Sequence, residues 1–285
     1  MTMSVEQRPG AAVTIAVTSG KGGVGKTSVV VNLAMALARL RQRVAILDAD
    51  FGLGSIDVHL GLTPPWHLGH VLAGTKRVED IILSGPSGVR VIPSGSGLHE
   101  LTALNPLQWE RLAEARASVS AEVDFLLIDT PPGISRNVVE ILRSLEHVLL
   151  VTSMEPSAIV DAYAVMKILA QADPDKEIGV LVNAVPDRRE AEAVFRQLAV
   201  AAGCFLNRHP QYHGYVPFDP VVRDSLLVQR SAVDLAPDSP ASRCFRVLAS
   251  RLARLSPGAG RGPRPFFPTR ETGAIGRPME AGPCA

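Results

Sequence analysis

The chain has 285 residues, of which 46% are hydrophobic and 20% are charged. This composition excludes a wholly disordered or fibrous protein, and the length suits one large α/β domain or two small ones. The 29 Lys and Arg residues nearly balance the 28 Asp and Glu residues, so the net charge is only +1 and a broadly basic DNA-binding surface is not indicated.

Six aliphatic runs predict buried strands, because continuous apolar runs are typical of parallel strands covered on both faces. Stretches with helical periodicity lie between them, and this alternation predicts an α/β fold with a doubly wound, mostly parallel sheet flanked by helices. The predicted strands cover residues 13–18, 43–48, 89–92, 124–129, 147–152 and 178–183, and the predicted helices cover residues 26–40, 106–119, 136–146, 157–171, 189–202 and 239–255.

The two ends of the chain differ in composition from the region between them. Residues 256–285 hold six Pro and six Gly, a share that favours a flexible tail over a packed core. We therefore expect a short flexible leader over residues 1–12, one domain over residues 13–255, and a disordered tail rich in Pro, Gly and Arg over residues 256–285.

The cysteines and apolar runs bear on the cellular compartment. Cys204, Cys244 and Cys284 lie 40 residues apart without a Cys-x-x-Cys pair, which favours free thiols over disulfides or a zinc or iron–sulfur site. No apolar run reaches the ~18 residues that a transmembrane helix needs. The N-terminal residues do not have the pattern of a secretory signal. We expect a soluble, cytoplasmic protein.

A glycine-rich stretch separates the first predicted strand from the first predicted helix. It fits G-x-x-x-x-G-K-[ST], a loop whose backbone N–H groups and following helix N-terminus bind phosphates. Lys26 would neutralise the β- and γ-phosphates, and Thr27 would place its hydroxyl on Mg²⁺. The residues expected to bind the nucleotide are Gly20, Lys21, Gly22, Gly23, Val24, Gly25, Lys26, Thr27 and Ser28.

Three aspartates at predicted strand ends are candidates to complete this site. Asp48 and Asp50 lie where the strand over 43–48 ends, and Asp129 ends the strand over 124–129. Because parallel strands direct their carboxyl ends to one edge, these side chains should face the same crevice as the glycine-rich loop. An aspartate after four apolar residues is the arrangement that holds Mg²⁺ in P-loop NTPases. The glycine that follows, Gly133, would let the backbone approach the γ-phosphate.

The glycine-rich loop contains an additional lysine, Lys21, and this residue makes the loop resemble that of a known family. Lys21 and Lys26 are two of only five lysines in the chain, and their motif resembles the deviant Walker A motif of the MinD/ParA ATPases. The resemblance implies ATP hydrolysis and a homodimer with two ATP molecules between its subunits, in which Lys21 reaches the partner's nucleotide. It also implies that Asp48 belongs to the Mg²⁺ shell and that Asp50 orients the attacking water. The expected catalytic residues are thus Lys21, Lys26 and Asp50, and the expected metal contacts are Thr27, Asp48 and Asp129.

The same resemblance implies residues around the base. Asn183, which closes the strand over 178–183, matches the family's adenine-recognising asparagine, although an asparagine after a strand is also a common turn residue. Glu155 matches a family position near the nucleotide of the dimer. Pro217, Phe218 and Asp219 resemble the segment that wraps the base.

Longer stretches favour one branch of the family. Residues 48–62, 155–164 and 239–245 resemble the flagellar-number regulators of the FlhG/FleN type. This implies a slow, regulatory ATPase switch that sets flagellar number or placement, or flagellar biosynthesis. The implied partners are an FlhF-type GTPase, a flagellar transcription activator or flagellar basal-body proteins. The short leader departs from the branch's GTPase-stimulating N-terminal helix, which leaves GTPase activation open.

Two alternatives remain at this point, namely a ParA-type ATPase for chromosome or plasmid partitioning and a MinD-like protein that positions cell division. DNA binding would need clustered basic residues, such as the arginines within 243–254. Specific nucleic-acid binding is nevertheless disfavoured, because residues 251–285 carry a net charge of +4 and leave −3 on the rest of the chain. Residues 241–255 fit either a basic amphipathic helix that contacts a membrane peripherally or a helix packed on the domain.

Two histidine pairs have a spacing that would suit a metal. His67 and His70, and likewise His209 and His213, lie in segments with Pro and Gly and without a neighbouring cysteine or third ligand. We interpret them as solvent-facing loop histidines.

Overall fold

The computed structural model describes residues 12–52, 54–95, 103–174 and 176–255. The strands are β1 (Val13–Thr18), β2 (Val44–Asp48), β3 (Leu83–Ser84), β4 (Arg90–Ile92), β5 (Phe125–Asp129), β6 (His147–Thr152), β7 (Glu177–Val185) and β8 (Gln211–Pro217). The helices are α1 (Lys26–Arg39), α2 (Ile56–His59), α3 (Leu68–Ala73), α4 (Pro106–Ser120), α5 (Arg136–Ser144), α6 (Pro156–Ala172), α7 (Arg188–Leu206), α8 (Pro220–Leu227), α9 (Ala232–Leu235) and α10 (Pro240–Leu252). The predicted tail, and the predicted leader up to residue 11, lie outside the described residues.

The strands form one eight-stranded sheet in the order β3-β4-β2-β5-β1-β6-β7-β8. Neighbouring strands pair in parallel, except that β3 is antiparallel to β4. This confirms the predicted doubly wound, mostly parallel sheet. Strands β2 to β5 lie on one side of β1, and β6, β7 and β8 lie on the other side. The strand order therefore reverses at β1. In such sheets, ligands bind at this reversal, outside the carboxyl ends of the strands.

Both faces of the sheet are buried, which explains why the strands read as unbroken aliphatic runs. Along β1, Ala16 packs into one hydrophobic core, whereas Val13, Ile15 and Val17 pack into a second core on the opposite face. The central helix α1 contributes Leu33, Met35 and Leu37 to the second core. The carboxyl edge of the sheet, where β1 ends, is therefore held between two packed layers.

The elements that sequence reasoning missed are short or polar. β3 has two residues and α2 and α9 have four each, which is too few to show a hydrophobic period. The short helices α3 and α8 were also not predicted. β8 lies at the edge of the sheet with β7 as its neighbour, and its sequence QYHGYVP contains no aliphatic run. The strand predicted over 178–183 is longer than expected, because β7 continues to Val185.

Helix α10 packs on the domain. Phe245, Leu248 and Leu252, the apolar stripe of the predicted amphipathic helix, are at most 2% exposed and belong to the second core. Of the two interpretations of residues 241–255, the structure therefore supports the packed helix. Among the described residues, none of the helices combines the length and the apolar character that crossing a bilayer requires.

The prediction that the paired histidines lie in solvent-facing loops is wrong for two of the four. His70 lies inside α3, where its ring centroid is 4.1 Å from that of His67 with the two rings tilted by 59°, and His213 lies inside β8. A Cβ on Gly179 of β7 would be 1.9 Å from Cδ2 of His213, so this ring fills the space above a glycine. Among the described residues, no group of three or more His, Cys, Asp or Glu side chains is arranged to hold a metal ion.

Candidate functional site

The glycine-rich loop lies between β1 and α1 and depends on glycine at both of its ends. Gly25, which precedes α1, has a φ of 85°, a left-handed conformation that L side chains rarely adopt. At the other end, a Cβ on Gly20 would lie 2.2 Å from the backbone oxygen of Asp161 in α6. The loop is therefore packed closely against α6, and it precedes the N-terminus of α1, the position at which P-loop proteins bind phosphate.

Lys26 and Asp129 form a buried ion pair at the centre of the site. Lys26 Nζ lies 2.5 Å from Asp129 Oδ1, and the two side chains are 8% and 2% exposed. A buried charge without a partner is strongly unfavourable, so each group is tolerated here because of the other. The side chain of Thr27 also hydrogen-bonds to Asp129. The structure thus brings together Lys26, Thr27 and Asp129, three of the residues that the sequence proposes for the site.

Asp48 lies beside Asp129 on the neighbouring strand of the sheet. The two are paired in register at the ends of β2 and β5, and both are buried. Both carboxylate oxygens of Asp48 accept backbone hydrogen bonds, Oδ1 from Asp50 at 3.0 Å and Oδ2 from Ser55 at 3.1 Å and Ile56 at 3.4 Å. Burial, and next the charge of Asp129, raise the pKa of Asp48 to about 8. Burial also raises the pKa of Asp129, although Lys26 opposes this shift.

These groups fit a divalent cation. Two buried carboxylates side by side repel each other, and a cation between them would remove that cost. Mg²⁺ is usually held by one or two carboxylates together with waters and substrate phosphates, and a Thr hydroxyl is a common additional ligand in P-loop proteins. Thr27, Asp48 and Asp129 provide this donor set. Asp50 is half-buried in the turn after β2, and its charge raises the pKa of Asp129, so it faces the same crevice.

Lys21 contacts the start of α6. Its ammonium group contacts the carboxylate of Glu155 and donates to Ser157 Oγ at 2.8 Å. Lys21 and Glu155 are 36% and 62% exposed, so the pair lies at the surface. Lys21 and Glu155, which the sequence analysis assigned to the nucleotide separately, therefore contact each other. Ser157 was missed, although its place beside Glu155 at the helix start was a usable signal.

The segment after β5 is fastened to the base of the loop. The Thr130 N–H donates to the Val17 carbonyl at 3.2 Å, and the Gly133 N–H donates to the Ser19 carbonyl at 2.8 Å. Gly133 has a φ of 92°, which glycine adopts without strain. A backbone change at Gly133 would therefore alter the hydrogen bond to Ser19 at the start of the glycine-rich loop.

Asn183 contacts the loop from the other side. Its Nδ2 donates to the Val24 carbonyl at 2.7 Å, and a Cβ on Gly25 would lie 2.4 Å from the same nitrogen. The prediction that Asn183 closes its strand is wrong, because β7 runs on to Val185 with a register shift against β8. Asn183 is therefore a strand residue aimed at the loop and not a turn residue.

The segment expected to wrap the base follows β8. Pro217 ends the strand, Phe218 is 73% exposed, and its N–H donates to the Val185 carbonyl at 2.8 Å. Asp219 is 9% exposed and accepts from the N–H groups of Val221 in α8 and Ala241 in α10, both at 3.0 Å. Its carboxylate thus ties two helices together beside the sheet edge, while the Phe218 ring is left exposed.

Comparisons with known proteins agree with this geometry. A family model described as "ParA: NUBPL iron-transfer P-loop NTPase" matches residues 11–253. The chain is 41% identical to the antiactivator FleN of Pseudomonas aeruginosa over 257 residues, which cover 90% of this chain and 92% of that protein. It is 30% identical to the flagellum site-determining protein YlxH of Helicobacter pylori over 247 residues, 86% of this chain and 83% of that one. The structure of the septum site-determining protein MinD with Mg-ADP from Pyrococcus horikoshii superposes with a TM-score of 0.73 at 27% identity, covering 85% of this chain and 96% of that chain.

Proposed function

Because the chain belongs to the ParA family of P-loop NTPases, we propose that it is an ATP-hydrolysing switch that dimerises with ATP and regulates flagellar number, placement or biosynthesis. The observation that carries the proposal is the buried cluster of Lys26, Asp129 and Asp48 at the carboxyl edge of β2 and β5, directly below the glycine-rich loop. Members of the MinD/ParA family are ATPases, and this cluster has the charges that a magnesium nucleotide would satisfy.

Nucleotide binding would use the loop backbone first. The N–H groups over Gly20–Thr27 and the N-terminus of α1 would receive the phosphates, and Lys26 would turn from Asp129 toward them. Thr27, Asp48 and Asp129 would hold Mg²⁺, which supplies positive charge against the phosphate oxygens. The exchange keeps every buried charge paired, since Asp129 would lose the lysine and gain the metal.

Hydrolysis then requires a positioned water. In the proposed reaction, water attacks the γ-phosphorus, the bond to the β–γ bridging oxygen breaks, and ADP and phosphate leave. Asp50, beside Asp48 and half-buried, would orient the water by accepting one of its hydrogen bonds. Lys21 would compensate charge on the partner's nucleotide, so that hydrolysis depends on the dimer.

The switch follows from a difference in affinity. If ATP binds the dimer more tightly than the monomers, it shifts the population toward the dimer, and its hydrolysis removes that preference. Surfaces formed in one state would then bind an output partner. The 41% identity to an antiactivator and the 30% identity to a flagellum site-determining protein support a flagellar output, with a transcription activator, an FlhF-type GTPase or basal-body proteins as candidate partners.

The proposal is tested by deleting the gene in its host and counting flagella by electron microscopy. We expect an altered number or placement that the wild-type gene restores and Lys26→Ala does not. Lys76→Ala, which removes a lysine that lies over the Trp66 ring, is the matched control and should restore the phenotype. Normal flagellation in the deletion strain, or full rescue by Lys26→Ala at equal protein level, would refute the proposal.

A further inference from the structure

The outer face of α10 and the turn after it carry four arginines that the proposed nucleotide switch does not use. Arg243, Arg246, Arg251 and Arg254, together with Val247 and Ser250, line an open depression of about 500 Å³, here called the arginine groove. Most of these side chains are exposed, whereas the opposite face of the helix is packed into the core. The groove is therefore a fixed feature of the domain surface.

The charge pattern of the groove is unfavourable for the isolated domain. Residues 240–255 contain no Asp or Glu, and Arg243–Arg246 and Arg251–Arg254 are like-charge neighbours three residues apart. The helix dipole favours Arg251 in the last turn but disfavours Arg243 near the first turn. A helix face selected only for solubility would mix both signs of charge. A binding partner would explain this excess.

Few of these charges are neutralised within the described part of the chain. Arg246 lies 3.8 Å from the carboxylate of Asp238, which is itself 95% exposed. Arg251 donates to the backbone oxygen of His213 at 2.9 Å, which leaves its charge uncompensated. Among the described residues, no ion pair within 4.0 Å involves Arg243 or Arg254.

We propose that the arginine groove binds an acidic segment of a partner protein, in which carboxylates flank an apolar side chain. The planar guanidinium groups of arginine match carboxylates in bidentate geometry. Val247, which is 52% exposed between the arginines, offers the apolar contact. Arg243 and Arg251 are eight residues apart in α10, about 12 Å along the helix, which an extended peptide of roughly five residues would span.

Two other anionic partners fit less well. Insertion into a membrane would need apolar side chains, but Phe245, Leu248 and Leu252 are committed to the core. Duplex DNA would contact a wider surface than the groove. Residues outside 251–285 carry a net charge of −3, and this negative charge would repel the phosphates of DNA. A short acidic peptide contacts the groove alone and avoids both costs.

The test uses the full-length protein without nucleotide, so that its failure is distinct from a failure of the ATP switch. Fluorescence anisotropy would follow a labelled Glu-Asp-Leu-Asp-Glu peptide titrated with wild type, with Arg243→Glu/Arg254→Glu, and with Arg77→Glu/Arg189→Glu as the matched control for net charge. We expect saturable binding to wild type and control, and affinity at least about tenfold weaker in the groove variant. Thermal unfolding would verify that all three proteins are folded.

Duplex DNA and vesicles of phosphatidylcholine with phosphatidylglycerol would be titrated in the same salt. The proposal expects both to bind more weakly than the peptide. Absence of peptide binding to the wild type, or equal binding by the groove variant, would overturn it. Tighter binding of duplex or vesicle that is lost in the same variant would also overturn it, in favour of that partner.

Discussion

The ammonium group of Lys21 is held by the carboxylate of Glu155 in its own subunit. In a sandwich dimer of the proposed kind, the same ammonium group would have to reach the partner's nucleotide. The lysine cannot serve both partners, so its intramolecular contacts with Glu155 and Ser157 compete with dimerisation. Because the pair is exposed, this competition should be worth at most about 1 kcal/mol.

We predict that Glu155→Gln lowers the ATP concentration needed for dimerisation. The substitution removes the charge that holds Lys21 while it keeps the shape of the side chain. A free-energy change of at most about 1 kcal/mol corresponds to a shift of up to about fivefold. Size-exclusion chromatography with light scattering over an ATP titration would measure the shift.

Glu110→Gln, on the exposed side of α4, is the matched control and should leave the titration unchanged. A weaker dimer in Glu155→Gln would instead mean that Glu155 binds nucleotide across the interface. In that case the contact with Lys21 would be incidental to the monomer.

The buried ion pair predicts a different kind of effect. Lys26→Met should lower the free energy of unfolding of the nucleotide-free protein by about 3 kcal/mol, because it leaves Asp129 buried without its counter-charge. Adding Asp129→Asn to this variant should recover part of the loss. Urea denaturation of the wild type, both single variants and the double variant would give the coupling energy. Strictly additive losses would show that the pair does not stabilise the fold.

The sequence was enough to locate the glycine-rich loop and the strand-end aspartates. Each is fixed by a local pattern, because a strand of aliphatic residues that ends in Asp48 or Asp129 can present that carboxylate only at the sheet's carboxyl edge. The contact between Lys21 and Glu155 joins residues 134 positions apart, and no local pattern encodes it. The dual hydrogen bonding of Asp219 to α8 and α10 likewise depends on tertiary packing.

Two strand predictions failed, one for β8 and one for the end of β7. β8 carries polar and aromatic residues because it lies at the sheet edge, so it lacks the aliphatic signal of the central strands. The aliphatic run over 178–183 stops at Asn183 and so predicts a strand end there, but β7 continues past it to Val185.

Asn183 should contribute to the choice of base. If its side-chain amide binds adenine, Asn183→Ala should reduce the preference for ATP over GTP by up to about tenfold, the value of one hydrogen bond. Competition of the two nucleotides against a fluorescent ATP analogue would measure this ratio. Asn183 also donates to the Val24 carbonyl. Equal losses of affinity for ATP and GTP would show that it only supports the loop.

Folding stability should fall on the acid side because of His213. Burial, and next the charges of Arg251 and His147, lower the pKa of His213 below its ordinary value of 6.5. The folded state therefore favours the neutral ring, and its stabilisation is present above pH 6.5 and is lost as pH falls through the folded-state pKa. The melting temperature of wild type should drop between about pH 8 and about pH 5 by more than that of His213→Gln. Because the pKa values of His59 and His67 are also lowered, some drop should persist in the variant. Identical drops in the two proteins would contradict this role of His213.

The most direct test of the switch is the mass of Asp50→Ala in solution with Mg-ATP. If Asp50 positions the attacking water, its loss blocks hydrolysis without removing the phosphate or metal contacts, and ATP-bound dimer accumulates. Without ATP, light scattering should show a monomer for both the wild type and Asp50→Ala. With ATP, Asp50→Ala should form a stable dimer. Asp224→Ala, an exposed control on α8, should behave like the wild type. An Asp50→Ala protein that stays monomeric with ATP bound would contradict the account.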